Sequence, residues 1–237
     1  KLVTTDASPV DPGHVELIFS YLIRGGKFGW KTDMERYKHG KLLIHEWMTQ
    51  TTVGIYKNID LGIIQGFQHL SDKENNYNEV AGMIDPLTGA EMADPTGGPG
   101  HGFGRTDLGI TGRWRFFTSE KHKLEVAYNP TVFVPTGRRS NFDHLGPSQG
   151  FTSFENAIAI TKDLGRWSTN SHIGYHAPLA SMERTENYAG AFHMNGAVGY
   201  QVCRWLHPEL ELVWLHEFEK HGKGGKILSL VAGTIIP

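Results

Sequence analysis

Hydrophobic and polar residues alternate with a period of two between Asp107 and Gly137. In DLGITGRWRFF, Leu108, Ile110, Trp114 and Phe116 fall on one face, and Asp107, Thr111, Arg113 and Arg115 on the other. After a polar turn at 119–122, KLEVAYNPTVFV places Leu124, Val126, Tyr128, Val132 and Val134 opposite Glu125, Asn129 and Thr131. The pattern predicts a hairpin of two strands, each about ten residues long. Strands of roughly 9–11 residues with one apolar face, aromatics near their ends and charges on the other face are what a transmembrane β-barrel requires. A soluble barrel turns its apolar face inward instead.

The same period recurs on both sides of this hairpin. Residues 1–13 contain two prolines and read as an extended N-terminal segment, and strand one follows with Val15, Leu17, Phe19, Tyr21 and Ile23 opposite Glu16, Ser20 and Arg24. A polar stretch at 25–40 leads to strand two at 42–55. Its alternation is the poorest in the chain, and Ile18, Leu22, Trp47 and Met48 break the pattern of the first two strands. Lys57 and Asn58 alone separate it from strand three at 59–70. Residues 71–105, which include PTGGPGHGFG, are rich in Gly, Pro, Asp and Asn and predict a long loop without regular structure.

Beyond the hairpin a second long loop covers 138–152, then strands at 153–162 and 167–176 flank a turn at 163–166. After a loop at 177–187, strand eight sets Phe192, Met194, Val198, Tyr200 and Val202 against His193, Asn195, Gly199 and Gln201. A turn at 204–208 precedes strand nine, with Leu210, Leu212 and Trp214 opposite Glu209, Glu211 and Glu217, and strand ten covers 226–236. Tight turns thus alternate with long connections. In outer-membrane barrels the short turns are periplasmic and the long loops extracellular. Trp114, Phe116, Trp167, Tyr200 and Trp205 all fall near the tight turns, where an aromatic girdle is expected. The expected fold is therefore all-β: one domain, 1–237, forming a monomeric antiparallel barrel of ten strands with outer-membrane lipid around it.

Composition narrows the classes. The 237 residues carry a formal net charge of -2, so no basic field draws in nucleic acid. No run of 18 apolar residues exists, which excludes a helical span and says nothing of a barrel, whose lumen-facing residues dilute a mean hydropathy of -0.35. Cys203 is the sole cysteine, so one chain holds no disulfide and no thiolate metal site. No signal peptide is visible at Lys1, as expected for a mature exported chain or a cytosolic one.

The segment RTDLGITGRWRFF, followed by HKLEVAYNPTVFVPTG with its ending Val134-Pro135-Thr136-Gly137, resembles the family of outer-membrane channels named for the MetA pathway of phenol degradation. SFENAIAITKDLGRWSTNSHIGYH is similar to that family's strand-turn-strand pattern, with Gly165 and Trp167 at the turn and Gly174-Tyr175 in the next strand. The resemblance implies a channel for small hydrophobic molecules, such as aromatic growth compounds, in the outer membrane of a Gram-negative bacterium. It also implies a barrel of twelve strands. Pro237 falls where a periplasmic turn would begin, so either a final hairpin is missing or the barrel closes with ten.

By parity the lumen holds Asp107, Arg113, Arg115, Glu125, Asn129, Glu155, His172, His176, His193, Glu209 and Glu211. Opposite charges there can pair across strands as a solvated inner wall, or Arg113 and Arg115 facing Glu125 can set a constriction whose field selects permeants. The apolar residues Met83, Ile84, Leu87, Met92 and Phe103 of the 71–105 loop are spaced so that the loop could fold into the mouth as a plug. An apolar solute needs an apolar stretch of wall or a lateral exit, and strands one and two and the 71–105 loop are the candidate places.

No cofactor is implied and no metal site is expected. His172 and His176 share a face, but at about 3.3 Å per residue they stand roughly 13 Å apart and cannot ligate one ion. Passive uptake of small hydrophobic or aromatic molecules is the function expected. A soluble lipocalin-like binding barrel is the alternative. An outer-membrane lipid-modifying enzyme is a third, but His216 near the rim has no GxSxG serine to serve, so no enzyme is expected.

Overall fold

The computed structural model describes residues 7–30, 36–72, 101–138, 147–148, 150–179, 188–219 and 226–235, and every structural statement below concerns these. Eleven strands are present: β1 (Val15–Trp30), β2 (Arg36–Tyr56), β3 (Ile59–Asp72), β4 (His101–Arg105), β5 (Leu108–Ser119), β6 (Leu124–Val134), β7 (Ser153–Leu164), β8 (Trp167–Pro178), β9 (Tyr188–Tyr200), β10 (His207–Glu219) and β11 (Lys226–Ile235). Ten lie in chain order in one antiparallel sheet, β1-β2-β3-β5-β6-β7-β8-β9-β10-β11, and β4 pairs with β3 off that path. Each strand hydrogen-bonds to its neighbour in sequence, as in an up-and-down barrel wall. β1 and β11 form the two edges of the sheet.

The alternation in the sequence becomes two surfaces of opposite exposure. Ile110, Trp114, Ile173, Met194, Val198, Leu210 and Leu212 are all exposed. Between them, inward-pointing Asp60, Arg113, Asn129, His172, Asn195 and Glu211 are buried, Glu211 completely. An open flat sheet would expose both faces alike. Here the polar face is concave and covered, and the apolar face is bare, the inverse of a soluble sandwich.

Aromatics mark two heights on the bare face. Trp167 packs at a tilt against Tyr200 with ring centroids 4.6 Å apart beside the tight turns, where Trp114, Phe116 and Trp205 also stand exposed. Tyr175 lies eight positions further along β8 and packs near Phe218 at 6.2 Å. Eight residues at about 3.3 Å span about 26 Å, or about 20 Å of height at a tilt near 40°, close to the apolar band of such barrels.

Several boundaries differ from the sequence reading. The 71–105 stretch does contain regular structure, because His101–Arg105 forms β4 against Phe67–Ser71. β5 reaches only from Ile59 to Ile64 along β3, leaving the rest of that edge open, and the alternating glycines of HGFGR let β4 take it with Phe103 stacked on Phe67 at 5.8 Å. β1 and β2 continue pairing through Gly25↔Leu43 to Trp30↔Arg36, beyond the polar stretch expected at 25–40. Backbone ladders do not need side-chain alternation where a hairpin rises past the bilayer. A bulge between Arg115 and Phe117 leaves both Phe116 and Phe117 exposed and moves the turn to 120–123, with Lys123 at φ 48°. The turn at 163–166 shortens to Gly165 and Arg166, and the one placed at 204–208 lies at 201–206, so Val202 is outside the strand and His207 and Pro208 are within β10.

An arginine set into the bare face at Leu212 should lower stability in a lipid bilayer by about 2–4 kcal/mol, whereas one set into the inner face at Gln50 should change it little. Urea unfolding of the chain refolded into vesicles measures both, and equal losses would mean that the two faces are misassigned.

Candidate functional site

The inner wall is polar throughout, and on one side apolar side chains stand among its polar groups. On β1 to β3 the inward positions include Ile18, Leu22, Ile44, Met48 and Ile64, all half-buried. Register places Ile18 beside Gln50 and Ile64, and Leu22 beside Glu46 and Gln68, so the strip climbs from the level of Gln50 to that of Ile44. Six residues of strand give it a length of about 20 Å. The Gln68 amide donates to Glu46 at 3.0 Å within it. Ile18, Leu22 and Met48 therefore break the sequence pattern because they face inward in strands whose outer face is already apolar. Trp47 faces outward and is 44% exposed. At the same level on the outer face, a groove of about 330 Å³ is lined by Phe19, Tyr21, Trp47, Thr49, Gln65 and Phe67 together with Ser20, Met48 and Gly66.

The remaining wall is polar and tightly tied at the turn end. Residues 7–14, expected only to be extended, run across its inner surface. Gly13 donates to the Gly54 carbonyl and Gly54 to that of His14, both at 3.0 Å. The amide of Val10 donates to Asp60 Oδ2 at 2.9 Å, the Ser8 hydroxyl to Glu125 Oε2 at 2.5 Å, and the amide of Ala7 to Thr161 Oγ1 at 2.8 Å. Arg113 Nη1 donates to the Ser8 carbonyl. One segment is thus fastened in turn to β2, β3, β5, β6 and β7. Gly54 is required at its crossing, since a Cβ there would overlap the backbone carbonyl of Asp11.

The expected pairing of charges holds in part. Arg115 meets Glu125 at 2.6 Å and also donates to Asn58 Oδ1 at 3.1 Å. Arg113 pairs instead with Asp60 at 3.4 Å, with the carboxylate almost fully buried. Asp60 was missed because it stands alone at the start of a strand, and only the stagger between β3 and β5 sets it opposite Arg113.

At the other end, Asp107 accepts from the Ser148 hydroxyl at 2.6 Å and the Gly137 amide at 3.0 Å, holding both against the wall. His176 meets Ser153 at 2.7 Å and the ring of Phe133 at 5.9 Å. His172 and His193, on adjacent strands, approach Glu155 at 3.8 Å and 3.4 Å. Asn129, Glu209 and Glu211 are buried in the wall, and His207 lies 3.9 Å from Glu209. His216 points outward and stacks on Phe218 at 4.5 Å.

Of the residues expected to plug the mouth, Met83, Ile84, Leu87 and Met92 lie outside the described residues. Phe103 is half exposed on the outer face, level with His69, because β4 extends the wall there rather than filling it. The segment found inside the lumen is the N-terminal one. Its sequence signal was weak: few apolar residues, Ser and Asp among prolines, and no alternation.

The sequence model of the family described as "Putative MetA-pathway of phenol degradation" matches residues 15–226. Among solved structures, an outer membrane channel from Pseudomonas putida F1 superposes with a TM-score of 0.67 at 11% identity, covering 99% of this chain and 98% of that one. No curated protein matches the sequence.

Truncation of residues 1–12 should raise ion conductance severalfold in planar bilayers; an unchanged current would mean that the segment does not fill the passage. Asp60→Ala, which removes a carboxylate from a buried arginine, should cost about 3 kcal/mol in chemical unfolding, and the apolar pair Asp60→Leu with Arg113→Leu distinctly less.

Proposed function

The chain belongs to the MetA-pathway phenol-degradation family, and we propose that it is a monomeric outer-membrane channel through which small apolar, chiefly aromatic, molecules pass without energy input. The observation that carries this reading is the apolar strip of Ile18, Leu22, Ile44, Met48 and Ile64 on the inner face of an otherwise polar wall. A water-filled pore has no use for such a strip. Water against it is displaced favourably by an apolar solute, at about 25 cal/mol per Å² covered.

The rest of the lumen fits the same task. The segment 7–14 and its partners fill the turn-side end with hydrogen-bonded polar groups, which narrows any continuous column of water and ions. The outer membrane itself explains the need. Its lipopolysaccharide leaflet slows apolar solutes that an ordinary bilayer would admit, so a protein route is useful for them. The likeness to an outer membrane channel supports that location for this chain.

The test is uptake of a radiolabelled aromatic compound at submicromolar concentration by Gram-negative cells that lack a relative of this chain. Cells carrying the protein in their outer-membrane fraction should take up the compound severalfold faster. Met48→Gln combined with Ile64→Gln should abolish that gain while leaving the protein in the same fraction. Equal uptake by carrier and empty cells would discard the reading, and so would full activity in the glutamine variant.

A further inference from the structure

We infer that Glu155, His172 and His193 form a site for one divalent transition-metal ion of the zinc class on the inner wall. The three residues come from three successive strands, β7, β8 and β9, and one donor atom of each lies within 4.8 Å of the other two. His172 and His176 sit along one strand, too far apart to share an ion, whereas His172 and His193 meet across neighbouring strands.

The wall is shaped to bring these donors together. In register, Glu155 stands opposite His176 and His193 opposite Gly174, so His193 must reach across β8 to approach the carboxylate. Gly174 makes this possible. A Cβ at that position would come within 2.6 Å of the His193 ring, so the imidazole lies directly over the glycine. His172 flanks it, its ring meeting that of His193 edge-on with centroids 4.9 Å apart.

The distances suit a shared ion better than a hydrogen-bonded cluster. Glu155 Oε1 is 3.4 Å from His193 Nε2 and 3.8 Å from His172 Nε2. A charge-assisted hydrogen bond between such groups closes to about 2.7–2.9 Å. Two donors held at about 2.0–2.1 Å from one tetrahedral ion stand about 3.4 Å apart. Moreover, His193 Nε2 and His172 Nδ1 make no hydrogen bond, although the two residues are only 9% and 5% exposed. Orphaned ring nitrogens at that depth are unfavourable, and a metal bond at His193 Nε2 relieves one of them.

Two imidazoles and one carboxylate select a borderline ion such as Zn²⁺ over Ca²⁺ or Mg²⁺, which prefer shells of oxygen. Three protein donors leave a fourth position facing the lumen, open to water or to an oxygen atom of a passing solute. The site lies at mid-depth and above, on the side of the long connections, just beyond the end of the 7–14 segment, whose Ala7 packs against Ala159 beside His172. It needs no particular permeant and holds whether or not the chain conducts.

The experiment uses the full, untagged chain folded in detergent micelles and freed of metal with a chelator. Titration with ZnCl₂ against a chromophoric indicator should give one equivalent bound with a Kd at or below the micromolar range, with Ca²⁺ at millimolar concentration failing to compete. Co²⁺ in place of Zn²⁺ should give the visible absorption of a four-coordinate ion. Glu155→Gln keeps the shape of the side chain, and with His193→Ala it should weaken Zn²⁺ binding at least tenfold while the circular-dichroism spectrum remains that of the folded barrel. Absence of stoichiometric binding by the folded wild type would overturn the site, as would equal binding by folded Glu155→Gln.

Discussion

In hydrocarbon, a backbone N–H or C=O without a partner costs several kcal/mol, and no water is present to supply one. A chain that crosses with strands must therefore keep its ladder continuous, and this requirement explains the details of the wall as well as its outline. Along the main path each strand pairs with the next. Where the ladder falters, a substitute donor is in place. At the gap between β4 and β5, Thr106 donates its amide to Gly66 O at 2.9 Å and accepts from the Gly66 amide on its side-chain oxygen at 2.8 Å. At the bulge after Arg115, that residue's amide reaches Asn58 O at 2.9 Å.

Continuous pairing forces period two, and period two forces the polar residues of an apolar-outside barrel to the inside. They then need partners of their own. Lining the interior with ionised groups is tolerable only when each carboxylate and guanidinium finds a counter-ion or a donor. Residues 7–14 answer part of that need at the turn end, since their amides and hydroxyl satisfy Asp60, Glu125 and Thr161 while their carbonyl at Ser8 receives Arg113. The segment is held by the wall's polarity, and the wall's polarity is in turn neutralised by the segment.

Most of the wall was legible because lipid imposes a strict rule on one face. Ile110, Trp114, Val198 and Leu212 could be placed from parity alone, and apart from β1 and β2, which run further into the 25–40 stretch, the strands of the main path fall within a few residues of where alternation put them. What alternation does not encode is stagger, the vertical offset between neighbouring strands. Stagger decides that Arg113 meets Asp60, and that His193 lies over Gly174 rather than beside His176. Strand β4 escaped for a different reason: HGFGR is short and glycine-rich, and it pairs only because β5 leaves part of β3 uncovered. The seat of residues 7–14 escaped because a segment bound through its backbone needs no side-chain pattern of its own.

Pairing also bears on what the lumen can discriminate. Arg113 and Asp60 are joined, as are Arg115 and Glu125, and both carboxylates take a further donor from the N-terminal segment. A neutralised pair presents a short-range dipole rather than a field that reaches far from the wall. Contact is then what remains to distinguish one solute from another. On the β5 to β10 side that contact is with hydrogen-bonding groups, many of them already engaged. On the β1 to β3 side the methyl and thioether groups of Ile18, Leu22, Met48 and Ile64 are added among Glu46, Gln50 and Gln68. A solute that can leave its water cheaply gains on the second surface and loses little on the first, whereas a sugar or an ion must surrender hydration to both. In the channel proposed for this chain, the asymmetry of the inner wall, rather than any single residue, would favour apolar molecules.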